Sequence, residues 1–131
     1  KGRTSRLDIE LLDMPARTKG TMLLLLAEFR HSTACYFSLG ALGKRAEQVA
    51  DEACLWLEKF LAGTGAVDEY LADQLLLPLA FADGDSRFRT ALVTDHLRTN
   101  AAVIEAFGAA DIDIEKDGRH GEGSVRVRPR A

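Results

Sequence analysis

The sequence predicts an α+β fold, a two-layer sandwich with helices packed on one face of a mixed β-sheet. Short alternating or continuous apolar runs, bounded by Gly and polar residues, read as strands near both ends and once in the middle. Three longer segments place apolar residues at three- and four-residue steps, as helices that bury one face do. A chain of 131 residues, 47% hydrophobic and 28% charged, can build one modest core without disulfides. No tandem repeat or low-complexity tract interrupts it.

Ser5 to Leu12 alternates polar and apolar residues, the pattern of a half-buried strand. Met14-Pro15 and Lys19-Gly20 punctuate a loop. Thr21 to Phe29 is a continuous apolar run that suits a buried strand, and Ala34 to Leu39 is another, closed by Gly40 and Gly43. The two form a hairpin across Arg30-His31-Ser32-Thr33. Lys44 to Ala62 is the clearest helix, with Val49, Ala53, Trp56, Leu57 and Phe60 on its inner face and Gly63 as a stop. A second helix runs from Asp68 to Ala82 with a stripe at Leu71, Leu75, Leu79 and Ala82, and Pro78 should kink it. Phe88 to Val93 reads as a strand, and Thr94 caps a third helix to Phe107 with Gly108 just beyond. Asp111 to Glu115 and Ser124 to Arg128 form a closing hairpin across the Gly-rich turn 117–123.

A net charge of −3 argues against nucleic-acid binding by bulk electrostatics and leaves only local clusters. Arg87 and Arg89 are one; Arg119, His120, Arg126, Arg128 and Arg130 are another. Arg126, Arg128 and Arg130 alternate with Val125, Val127 and Pro129, so they share one side of an edge strand. Phosphate contact and protection of that edge explain them equally well. Cys35 and Cys54 lack metal-ligand spacing and read as reduced core thiols of a cytoplasmic protein. No run approaches the ~18 apolar residues of a membrane span, and no signal-peptide pattern opens the chain. Lys1 in place of Met suggests a processed or truncated product.

Of three histidines, His31 and His120 fall in polar turns and read as solvated loop residues. His96 falls in the first turn of the third helix. There the partial positive charge of the helix start disfavours imidazolium and leaves a neutral ring nitrogen, as a nucleophile requires. The same helix start, with Arg98, would suit a phosphate. On these residues alone, simple helix capping by Thr94 and His96 remains open. Tyr70, Asp73, Gln74 and Leu77 lie at three- and four-residue steps on one face of the second helix. A phenol, a carboxylate and a carboxamide together can hold a nucleoside, or simply face solvent.

The run Val-Asp-Glu-Tyr-Leu-Ala-Asp-Gln-Leu at 67–75, the Leu-Pro-Leu-Ala at 77–80 and His-Leu-Arg-Thr-Asn at 96–100 closely resemble RNA 3′-terminal phosphate cyclases. Ser38-Leu39-Gly40, Gly43, Ala46-Glu47, Val49, Ala53 and the stretch Val103 to Phe107 fit the same family, and the resemblance extends from Gly20 to about Val127. It implies the α/β repeat of cyclases and EPSP synthase-like proteins. It also implies an ATP-dependent enzyme in which a histidine takes AMP as a covalent phosphoramidate. The AMP then passes to an RNA 3′-phosphate, and the neighbouring 2′-hydroxyl closes a 2′,3′-cyclic phosphate. By resemblance His96 is the nucleophile, Tyr70, Asp73 and Gln74 contact the nucleotide, and Mg²⁺ or Mn²⁺ assists.

Family members are several-fold longer, with three related repeats and an inserted domain. The resemblance therefore makes residues 16–131 the C-terminal repeat and residues 1–15 the end of the insert or a linker strand. The glycine-rich N-terminal segment and the upstream residues that hold phosphate and metal have no counterpart here, so the isolated chain is expected to be inactive. The missing repeats would act in trans, or a second copy would cover exposed apolar surface. The alternative is a non-catalytic RNA-processing scaffold of the same fold, against which the presence of His96 counts.

Overall fold

The computed structural model describes residues 6–118 and 120–130. Five strands and three helices follow one another as β1 (Met22–Glu28), β2 (Thr33–Leu39), α1 (Ala46–Ala62), α2 (Glu69–Ala80), β3 (Ser86–Thr90), α3 (Asp95–Ala106), β4 (Ala110–Lys116) and β5 (Gly123–Pro129). The α+β class is that expected, and so is the element order from Thr21 onward. The sheet is not one mixed sheet but two antiparallel ones, β1-β2 and β3-β5-β4. Among the described residues, parallel pairing survives only as a bridge between Val67 and Thr90. It is made where the α1–α2 connection runs beside β3, with the Ala66 and Val67 amides donating to the Arg89 carbonyl and the Ala91 amide to the Val67 carbonyl. Gly65 permits that approach: a Cβ there would lie 2.5 Å from the Ala91 nitrogen.

The β1–β2 hairpin pairs Met22 with Leu39 through Glu28 with Thr33. Phe29 donates its amide to the Ser32 carbonyl at 2.8 Å to close the turn that exposes His31. α1 lies on this hairpin. The Phe60 ring meets Phe29 at 5.8 Å and Tyr36 at 6.1 Å between centroids. Val49, Ala53 and Phe60 are buried as expected, whereas Trp56 is exposed and lies under the Lys59 ammonium, 4.4 Å from the ring centroid. Cys54 is exposed too, which corrects its assignment to the core. It follows buried Ala53 directly, about 100° further round the helix. α1 begins at Ala46 rather than Lys44. The Lys44 ammonium is drawn aside to Ser38, the Leu39 carbonyl and Glu52, and the Arg45 amide donates to the Gln48 side chain.

α2 and α3 cover the inner face of the three-stranded sheet. Leu76, Leu97, Val125 and Val127 are almost wholly enclosed at the centre, with Ile104 and Ile112 beside them. The buried line of α2 is Ala72, Leu76 and Ala80, one residue on from the expected stripe; Leu71, Leu75 and Leu79 flank it. The helix packs on both α3 and the sheet, so its deepest line falls between those two contacts. α2 continues through Pro78 and ends at Ala80, two residues short of expectation. Beyond the proline, the Phe81 and Ala82 amides donate to the Pro78 and Leu79 carbonyls, a tighter three-residue closure. β3 stops at Thr90 instead of Val93. The Thr90 hydroxyl donates to the Leu92 carbonyl and accepts from the Leu92 amide, a local bond that competes with the ladder.

β5 is the central strand, so the arginines it carries do not lie on an edge. Arg126 pairs with Asp85 at 2.5 Å, Arg128 with Asp113 at 2.6 Å and Arg130 with Asp111, while Arg89 on β3 pairs with Asp117 at 2.8 Å. The pairs of Arg89 with Asp117, Arg128 with Asp113 and Arg130 with Asp111 each raise the guanidinium or lower the carboxyl from its ordinary range. Hydrogen bonding to the partner is the first cause for Arg89, Asp111, Asp117, Arg128 and Arg130. The basic cluster is thus largely neutralised within the chain; Arg119, also read into it, lies outside the described residues.

The strand expected over 5–12 is not formed across 6–12, and Ser5 lies outside the described residues. Leu7, Ile9 and Leu11 stand exposed there, and nothing in the described chain pairs with their backbone as a strand. Among the described residues no helix is long and apolar enough to cross a membrane.

Candidate active site

His96 is the second residue of α3. Thr94 is the N-cap in extended conformation, and its hydroxyl accepts the Leu97 amide at 3.1 Å, so the helix starts where the sequence places it. Leu97 is fully buried and fixes this turn on the sheet, while His96 beside it is exposed. Arg98, two residues on, leaves the helix from a different side than His96, so the two do not converge through helix geometry alone.

Asn100 follows His96 by one turn, on the same face. Its side-chain amide donates to the Asp73 carboxylate of α2. Asp73 in turn stands between Tyr70 and Gln74 on the outer face of its helix, where Tyr70 is 56% exposed. The Asp73–Asn100 bond therefore ties the α2 face that carries Tyr70, Asp73 and Gln74 to the helix that carries His96. Sequence reasoning missed that Asp73 is bound to Asn100, although Asn100 belongs to the same short motif as His96. Exposed apolar residues follow along both helices: Leu77 and Phe81 on α2 and its end, Val103 and Phe107 on α3 and its end, with Phe107 86% exposed.

The start of α2 is fixed by a buried carboxylate. Asp68 Oδ1 accepts the Tyr70 and Leu71 amides at 3.0 and 2.7 Å, and its Oδ2 accepts the Cys35 amide of β2 at 3.3 Å. Beside it the Tyr36 hydroxyl donates to Glu69 at 3.0 Å. Burial first, and Glu69 next, push the Tyr36 phenol far above its ordinary value. Burial, then Asp68, also raises the Cys35 thiol. Neither contact was read from the sequence, because the partners lie 33 residues apart.

Glu122, nearly buried, ties down the segment before α2 from the other side. Its Oε1 accepts the Thr64 amide at 2.9 Å and the Thr64 hydroxyl at 3.4 Å. The Thr64 amide is the main reason this carboxyl lies below the usual range; the Thr64 hydroxyl, His120 and Arg89 act in the same direction against desolvation. His120 itself is exposed, as a loop residue should be.

Chemically, this surface offers an accessible imidazole at a helix start, with a phenol, a carboxamide and a bridged carboxylate on the neighbouring helix. Such a set can contact a nucleotide through its base edge, ribose and phosphate. Among the described residues no group of three or more His, Cys, Asp or Glu side chains clusters as a metal site would.

Comparison with known proteins gives the same family from two directions. The family model described as RNA 3′-terminal phosphate cyclase matches residues 5–114. The RNA 3′-terminal phosphate cyclase of Methylococcus capsulatus is 40% identical over 119 residues, 91% of this chain and 33% of that protein. That of Nostoc punctiforme is 45% identical over 97 residues, covering 74% of this chain and 28% of the relative. That of Pseudomonas fluorescens is 48% identical over 88 residues, 67% and 25% respectively. The chain thus spans about a third or less of the relatives it matches. With most of its length matched by the family model, this chain belongs to the RNA 3′-terminal phosphate cyclase family.

Proposed function

We propose that this chain is the portion of an ATP-dependent RNA 3′-terminal phosphate cyclase that carries the nucleophilic histidine, His96. A ring nitrogen of His96 attacks the α-phosphorus of ATP, a P–N bond forms and pyrophosphate leaves. An oxygen of the RNA 3′-phosphate then attacks the same phosphorus and frees the imidazole. Finally the 2′-hydroxyl attacks the 3′-phosphorus, giving the cyclic phosphate and releasing AMP. In this reading the exposed Tyr70 ring packs on the adenine, Gln74 bonds its edge or the ribose, and Asp73 holds Asn100 so that the two helices present one surface.

The observation that carries the proposal is the Asp73–Asn100 bond, which joins the α2 face to the helical turn that follows His96. Residues 16–131 would be the C-terminal repeat and 1–15 the end of an inserted domain. The rest of the active site would come from the remainder of a cyclase-length protein, in cis or in trans. Two free thiols suit a cytoplasmic setting.

Incubation with α-labelled ATP and Mg²⁺ or Mn²⁺, for the chain alone and with the remaining portion of a relative, tests this. Acid-labile, alkali-stable label is expected on the assembly and not on His96→Ala. No such label under any of these conditions refutes the proposal.

A further inference from the structure

Two loops meet, joined by the Glu122 carboxylate and, beside it, by the Arg89 guanidinium, which donates to both the Thr64 hydroxyl and Asp117. The first is Gly63-Thr64-Gly65, which leads into α2. The second is the turn between β4 and β5, where the Asp117 and Gly118 amides both donate to the Glu122 carbonyl at 3.1 Å. This turn also reaches the start of α3: the Val93 amide, one residue before the N-cap Thr94, donates to the Gly121 carbonyl at 2.7 Å. The Glu122 carboxylate then crosses to Thr64. A chain of short contacts thus runs from the segment before α2, through Glu122 and Gly121, to the segment before α3.

The carboxylate has little freedom in this place. Glu122 is only 7% exposed. A methyl group on Gly63 would come within 2.9 Å of its Oε1, and one on Gly118 would overlap the side chain outright. Both glycines leave the space that the carboxylate fills.

We propose that Glu122 is a positioning residue for the reaction at His96, holding the start of α3 in register with the nucleotide-facing side of α2. The inference rests on His96 being the nucleophile. Glu122 does not touch the reacting atoms; it acts through Thr64 and through the turn that receives Val93. A misplacement near 1 Å between reacting groups slows a reaction by about a hundredfold, and a loosened link between the two helix starts is of that scale.

Two measurements on Glu122→Ala, Glu122→Gln and Gly118→Ala test it. The first is amide hydrogen exchange of the chain. Glu122→Ala and Gly118→Ala are expected to speed exchange at Thr64, Val93 and Leu97 while leaving the middle of α1 unchanged. Glu122→Gln keeps an oxygen for the Thr64 amide and should exchange like the original. The second is the rate of His96 labelling in the assembly with the rest of a cyclase-length protein. Glu122→Ala and Gly118→Ala are expected to lower the maximal rate about ten- to a hundredfold, with the half-saturating ATP concentration within about threefold, and Glu122→Gln to restore it. Unchanged exchange at Thr64 and Leu97 in Glu122→Ala overturns the proposal, as does an unchanged maximal rate. If the unaltered assembly takes no label, the reading of His96 fails by itself, and the exchange pattern still decides whether Glu122 links the two helix starts.

Discussion

Replacing Asp68 with Ala should destabilise the chain through two separable losses. The Asp68 carboxylate caps α2 through the Tyr70 and Leu71 amides and binds the Cys35 amide of β2. Loss of an N-cap costs about 1 kcal/mol, within a range of roughly 0.5–2. A partly buried amide left without an acceptor adds about 1–3 kcal/mol, and the Cys35 amide donates to Asp68 across the open side of the hairpin. The sum is about 2–4 kcal/mol, enough to lower Tm by roughly 10 °C in a chain of this size. Urea titration followed by circular dichroism measures it. Asp68→Asn keeps a capping oxygen but turns an amide group towards one of the two partners, so it should recover the capping part alone. A loss under about 0.5 kcal/mol in Asp68→Ala would refute the reasoning. Equal losses in Ala and Asn variants would show that the energy does not reside in the cap.

Other expectations concern charge. Tyr36 stays protonated in the fold well above the ordinary phenol range, whereas it ionises at about 10 when unfolded. Its contribution is therefore intact below pH 10 and lost as pH rises further; Tyr36→Phe should flatten the alkaline fall in urea midpoint, and an unaltered fall would contradict this. Asp117 and Glu122 are held below their ordinary values, so their stabilisation is present above about pH 4.5 and disappears as pH falls through the folded values. The variant combining Asp117→Asn with Glu122→Gln should show a shallower acid limb in the same titration. Because Arg126 and Arg128 are already paired with carboxylates, Arg126→Ala and Arg128→Ala should leave the salt dependence of RNA binding unchanged. A slope reduced by about 0.7 per arginine would show that they contact phosphate.

What the sequence made legible was local. Thr94 as a cap, His96 in the first turn, Gly108 past the end of α3 and the β4–β5 hairpin are all encoded within a few residues, and all are found. Tyr70, Asp73 and Gln74 share a face because helical spacing requires it. The contacts that set one helix start against another were not legible. Glu122 meets Thr64 across 58 residues and Asp73 meets Asn100 across 27, and no periodicity reports such pairings. Strand order was hidden for the same reason. Alternation identifies β5 and the side on which its arginines lie, but not that β3 and β4 flank it. Cys54 and Trp56 show the limit of an apolar pattern on a helix: residues one step off the inner line read as core and stand in solvent.

The central position of β5 also bears on when the site can exist. β3 and β4 pair only with β5 within their sheet, and β5 is the last of the three to be synthesised. Until residues 123–129 are available, both earlier strands lack their ladder, and the inner surface on which α2 and α3 rest is missing Val125 and Val127. The histidine-bearing helix can form early from its own cap, but its seat is assembled last. A ribosome-bound chain stalled before Gly123 should therefore hold His96 on an undocked helix, and the α2–α3 surface becomes a property of the finished sheet.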